Sequence, residues 1–159
     1  MPKDKYQLIC APKQARGTKM MNLKIFTISG ILFVLTTGTL AHFVYDWSGN
    51  NHMAGFLVPV SESVWEHMKL IFFPMLSYSI LMVLKFKRKH PCVISAFCFG
   101  NLAGTLLIPI LFYASYYMLG GSILIIDILI FISGVLIAFG LSYKLMLSCG
   151  LKPYTYFLL

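Results

Sequence analysis

Acidic side chains are scarce, five in 159 residues, and charged residues of both signs make up only 11%. Soluble domains carry roughly a quarter charged residues, so this chain cannot coat itself with an ordinary water-facing surface. Several chemical signatures are missing as well. Cys10, Cys92, Cys98 and Cys149 form no C-x-x-C pair, and neither H-E-x-x-H, H-x-x-x-H nor G-x-S-x-G occurs. That removes the ready-made thiol-redox, zinc-protease and serine-hydrolase motifs. Three of the four cysteines fall at the side assigned below to the cytoplasm, so reduced thiols with no disulfide or metal role are expected. There is no internal repeat and no low-complexity stretch.

What is present is apolar: 58% hydrophobic residues, 15% of the chain aromatic, and a mean hydropathy of +0.80. The expected class is an all-α integral membrane protein. The net charge of +8 raises the question of nucleic acid, but the basic residues flank apolar runs instead of forming a face. No nucleic-acid partner is expected. The expected partner is the lipid bilayer, with a homo-oligomer or another membrane protein left open. Tyr and Trp favour membrane interfaces and Phe fills lipid-facing surface, so the aromatics point to no cofactor.

Residues 1–24 are polar and basic and read as a cytoplasmic tail. Met20 and Met21 stand just before Asn22 and offer an alternative start of translation. The first apolar run, 25–45, is uncharged, and about 20 residues cross a bilayer core. A signal peptide is the rival reading, since Thr39-Leu40-Ala41 imitates a cleavage site, yet the run stays apolar through Phe43, Val44 and Tyr45. A turn-rich loop follows. Ser63-Val-Trp-Glu66 then has capping-box spacing for a helix running to Phe86, kinked at Pro74. Pro91 suits the first turn of a third helix. Gly100-x-x-x-Gly104 on it places small residues on one face for close helix approach. The expected helices cover about 25–47, 63–86, 92–119 and 123–147, making one four-helix transmembrane domain over 25–149. A short apolar segment, 150–159, cannot span.

Orientation follows from charge. Lys3, Lys5, Lys13, Arg16, Lys19 and Lys24 in the tail, Lys85, Lys87, Arg88 and Lys89 in the second connection, and Lys144 and Lys152 near the end share one side. The positive-inside rule makes that side the cytoplasm, with both termini inside and the protein a multi-pass resident of the cell membrane. Only Lys69 stands apart.

Four of the five acids, Asp46, Glu62, Glu66 and Asp127, fall at the outer side. His42 and Asp46 are four apart on one helix face, with Trp47 at interfacial depth. Glu62, Glu66 and Lys69 follow i, i+4, i+7 spacing, while His67 points roughly 100° away from Glu66. Asp127 lies at a depth similar to Lys69, and an ion pair between them is expected because either charge is costly unpaired near lipid.

Three functions compete for this cluster. In the first it is structural, carboxylates capping helix N-termini and charges tying helices together. In the second it binds or passes a cation, proton or small polar solute, with Asn101 near midplane and the prolines Pro74 and Pro109 supplying polar steps. In the third His42, Asp46, Glu66 and His67 ligate the metal of a membrane hydrolase. His52 reads as a solvated loop residue and His90 as part of the basic connection.

The stretch His42-Phe-Val-Tyr-Asp-Trp-Ser-Gly-Asn-Asn51, followed by Pro59-Val-Ser-Glu-Ser-Val-Trp-Glu-His-Met-Lys-Leu70 and Phe73-Pro74, resembles a bacterial family of small multi-pass membrane proteins of unknown function. The resemblance implies a helical membrane protein whose signature lies on the outer loop and its flanking helix ends. It implies no activity. It also implies a further hydrophobic segment after the present C-terminus.

Overall fold

In a computed structural model of the protein, residues 13–86 and 92–148 are described. They form six helices and no strand: α1 Lys13–Trp47, α2 His52–Leu57, α3 Val64–His67, α4 Lys69–Phe86, α5 Val93–Leu119 and α6 Leu124–Ser148. The expected tail ahead of Lys13, the basic connection 87–91 with Pro91, and the C-terminal segment lie outside these residues.

Four stretches are long and apolar enough to cross a membrane: Asn22–Trp47, Val64–Phe86, Val93–Leu119 and Leu124–Leu147. Their ends fall within a few residues of those the apolar runs imply. The first helix starts earlier than its apolar run, at Lys13, because the Lys, Gln, Ala and Met residues ahead of it are good helix formers. The loop between the first two spanning-length stretches, expected as turns alone, contains the extra short helix α2.

α5 packs most extensively on α6, α1 on α4, and α4 on α5. A Cβ on Gly104 would sit 2.5 Å from Ala138 Cβ and 2.8 Å from Gly134 O, and one on Gly100 would meet Ser142 Oγ and Ala138 O. Small residues therefore set the α5–α6 distance, as the Gly-x-x-x-Gly spacing implies. Ile71 and Met75 of α4, Val93 and Ala96 of α5, and Val135 and Phe139 of α6 are buried at the centre. Outward-facing Leu32, Ile80, Leu84 and Ile125 are more than half exposed, the apolar coat that a bilayer would cover.

Polar ties cross between spans. The Tyr78 hydroxyl donates to Phe26 O at 2.7 Å and lies 2.7 Å from Ser29 Oγ, joining α4 to α1. Asn101 donates through Nδ2 to Phe72 O at 3.2 Å, joining α5 to α4. Pro74 has no N–H to offer Leu70 O, and that carbonyl faces α1 at Gly38, where a Cβ would come within 2.7 Å. The helical path runs on through Pro74 but breaks at Met68, six residues before it, where Ile71 N–H donates to Met68 O at 3.3 Å. One expectation is corrected at the opposite end: Cys92 is disulfide-bonded, while Cys98 is free and exposed.

Candidate functional site

The polar cluster is assembled where α1 ends and the chain folds back to enter α3. After Trp47 the path reverses through Gly49 and Asn50, both in the left-handed region at φ 67° and 61°. Asn51 then caps α2, its side chain accepting from Met53 N–H at 2.9 Å. Ser63 caps α3 by accepting from Glu66 N–H at 3.3 Å. Half of the expected capping box is therefore made.

The other half is diverted. Glu66 sends Oε2 to Val60 N–H, 3.1 Å away, and to Lys69 Nζ, 2.7 Å away. Lys69 donates in addition to Gly55 O at 3.0 Å. The side chains of Lys69 and Glu66 are only 22% and 15% exposed, so the pair is a partly desolvated strap fastening α2 and the 58–60 segment onto the start of α4. The lysine is committed twice over. Among the described residues no ion pair joins it to Asp127, and the expected Lys69–Asp127 pair is replaced by Lys69–Glu66. The physical reason is proximity, since Glu66 stands three residues before Lys69, across the break at Met68. Asp127 sits in the first turn of α6, where the helix dipole favours a carboxylate; its Oδ1 is buried and makes no hydrogen bond.

With Glu66 turned inward, Glu62 is left to the histidines. Its Oε1 lies 3.7 Å from His42 Nε2 and its Oε2 lies 3.6 Å from His67 Nε2. The two imidazoles meet edge to face, centroids 5.4 Å apart. One donor atom from each of the three residues falls within 4.8 Å of the others. The His67 ring is held from behind, its Nδ1 lying 2.8 Å from Ser63 O. A carbonyl can only accept, so Nδ1 carries the proton and, in the neutral ring, Nε2 turns a lone pair toward Glu62. Ser63 thus caps the helix with its side chain and orients His67 with its carbonyl.

The remaining expected residues take other positions. Asp46 shares a face with His42 but stands outside the three-residue group. Trp47 is exposed and stacks on Phe43, centroids 5.9 Å apart. Asn101 is buried, with Thr105 Oγ1 3.4 Å from its Oδ1, and is spent on helix packing. His52, expected as a loop residue, begins α2 and helps line a shallow cleft of about 500 Å³ with Tyr45, Phe56, Lys69 and Phe73. Of the four ligands expected for a metal, His42 and His67 converge, while Glu62 stands where Asp46 and Glu66 were expected. Position offered one clue: Glu62 precedes the Ser63 cap, so helical spacing does not align it with Glu66 and Lys69.

The architecture is that of an all-helical protein with four membrane-length helices and a polar group gathered over one end. The chain belongs to DUF6512, a family of unknown function, whose profile matches residues 15–152. No curated protein and no solved structure matches it.

Proposed function

We propose that this DUF6512 member is a multi-pass protein of the cell membrane that binds a small cation or polar solute at its outer end, through a group separate from the one that holds the fold. One observation carries the reading: Glu62 lies between His42 and His67 at 3.7 and 3.6 Å, serving neither as a helix cap nor as a partner to Lys69. A structural role accounts for Ser63, Glu66 and Lys69, which cap and strap. It gives no role to two imidazoles that meet an 81% exposed carboxylate at distances beyond a direct hydrogen bond, since such bonds close at about 2.7–3.2 Å. A conduction route has less support, because Asn101 is engaged by Phe72 O.

The orientation rests on the basic residues of the tail, the second connection and the C-terminal end, which favour the cytoplasm. The Cys92 disulfide at that end argues the other way, because cytoplasmic thiols stay reduced. Labelling in intact cells decides between them. In a background with the native cysteines replaced by serine, Glu62→Cys reacts with a membrane-impermeant maleimide and Lys87→Cys does not; the reverse pattern overturns the orientation. The binding role is tested by the triple variant His42→Ala, Glu62→Gln, His67→Ala, purified and stripped of ligand. With the parent stripped in the same way, since bound ligand would raise its melting temperature, the two melt together if the group binds and does not brace, and the variant melts well below the parent if the group is structural.

A further inference from the structure

Taking the outer group as a binding site, we infer that its ligand is a divalent transition metal of the zinc class, held by His42 Nε2, His67 Nε2 and the Glu62 carboxylate with one coordination position open. The separations point to a shared third atom. At 3.7 and 3.6 Å the imidazole–carboxylate distances are too long for hydrogen bonds. They lie close to the edge of a coordination tetrahedron, which bonds of about 2.0–2.2 Å set near 3.4 Å. The two contacts run to different carboxylate oxygens, and with one donor atom taken from each residue all three lie within 4.8 Å of one another, so both the imidazoles and the exposed carboxylate must draw in to share one ion.

The chemistry of the donors is equally specific. Two imidazole nitrogens and one carboxylate suit zinc, cobalt, nickel or iron, whereas calcium and magnesium demand oxygen ligands. Metal-bound histidines commonly donate their other ring N–H to a backbone carbonyl, which fixes the tautomer and aims the lone pair. His67 has that support in Ser63 O, at 2.8 Å. The nearby cation raises no obstacle, because Lys69 is neutralised by Glu66 at 2.7 Å. That pairing also divides the two carboxylates: Glu66 is spent on the strap and Glu62 remains free to ligate. Three protein ligands on an open surface leave a fourth position to water or to an exchanging ligand, the pattern of reactive or transfer sites and not of closed structural ones.

The test is a Co²⁺ titration of the full chain in detergent, with any affinity tag removed and bound metal first stripped by a chelator. Visible absorption follows coordination, and Zn²⁺ competition gives the affinity. The expected result is one Co²⁺ per chain, displaced by Zn²⁺ and not by Mg²⁺. His42→Ala, Glu62→Gln and His67→Ala should each weaken binding by about 100-fold or more, since loss of a ligand exceeds the 10–100-fold typical of losing its support. His52→Ala, outside the group, should bind as the parent does. The inference is overturned if the parent binds no Co²⁺ or Zn²⁺, or if the triple variant retains either metal. Failure of metal binding with the stripped triple variant still melting like the parent would sink the metal alone. Early melting of that variant would sink the binding-site reading with it.

Discussion

The α5–α6 interface and the loop end of the bundle are built by opposite means. Between α5 and α6 contact is set by what is missing, the side chains of Gly100 and Gly104, and the backbones close on Ala138 and Ser142. At the loop end, contact is set by polar side chains reaching across gaps in sequence: Lys69 Nζ bonds Gly55 O, and Glu66 bonds Val60 N–H. The first arrangement repeats along a helix and tolerates no added atom. The second has parts that can be removed one at a time, and only some of them hold anything together. A site can be loaded and emptied at the second kind of surface without disturbing the first.

The contrast breaks most sharply at Gly104. Gly104→Leu drives a side chain into Ala138 Cβ and Gly134 O, at 2.5 and 2.8 Å from the Cβ alone. It should cost about 3 kcal/mol or more, read as a collapsed melting temperature in detergent or as failure to purify a folded chain. At the loop end the largest effect belongs to the strap. Lys69→Met leaves the Glu66 carboxylate, 15% exposed, without its cation, and should cost about 2–3 kcal/mol, at or below the lower bound for fully buried pairs. Adding Glu66→Gln should return part of that loss, and a double-mutant cycle on thermal unfolding measures how much. Asn101→Ala removes a single interhelical bond to Phe72 O and should cost about 1 kcal/mol, the usual scale for such bonds in membranes. Smallest of all, Glu62→Gln alters an 81% exposed carboxylate and should shift metal-free stability by less than about 0.5 kcal/mol.

Legibility followed the same division. Apolar run length and the placement of Gly, Pro and charge located four spans whose ends at Trp47, Phe86 and Leu119 are those of the structure. Gly-x-x-x-Gly spacing anticipated the tight α5–α6 contact, because both residues and their consequence lie on one helix. The candidate site was legible as a membership and not as a pairing. Of the expected cluster, His42, Glu62 and His67 form one group and Glu66 and Lys69 another, while Asp46 and Asp127 join neither; Glu66 and His67 point apart, one toward Lys69 and the other toward His42 and Glu62. The pairing of Lys69 with Asp127 was not borne out, since depth in a span says nothing of azimuth and a neighbour three residues away was closer. Helical spacing groups Glu62 with Glu66 and Lys69, but the helix starts only after Ser63. The short helix α2, which supplies the carbonyl of Gly55 to the strap, left no periodic signal in six residues.

The central claim is that two carboxylates four positions apart in the chain do different work, Glu66 holding the loop end and Glu62 holding a ligand. Side-by-side unfolding of Glu62→Gln and Glu66→Gln, both stripped of metal, tests it most directly. The account predicts that Glu66→Gln melts several degrees below the parent while Glu62→Gln melts with it. Equal losses, or a larger loss for Glu62→Gln, would contradict the division of the cluster into a strap and a ligand group.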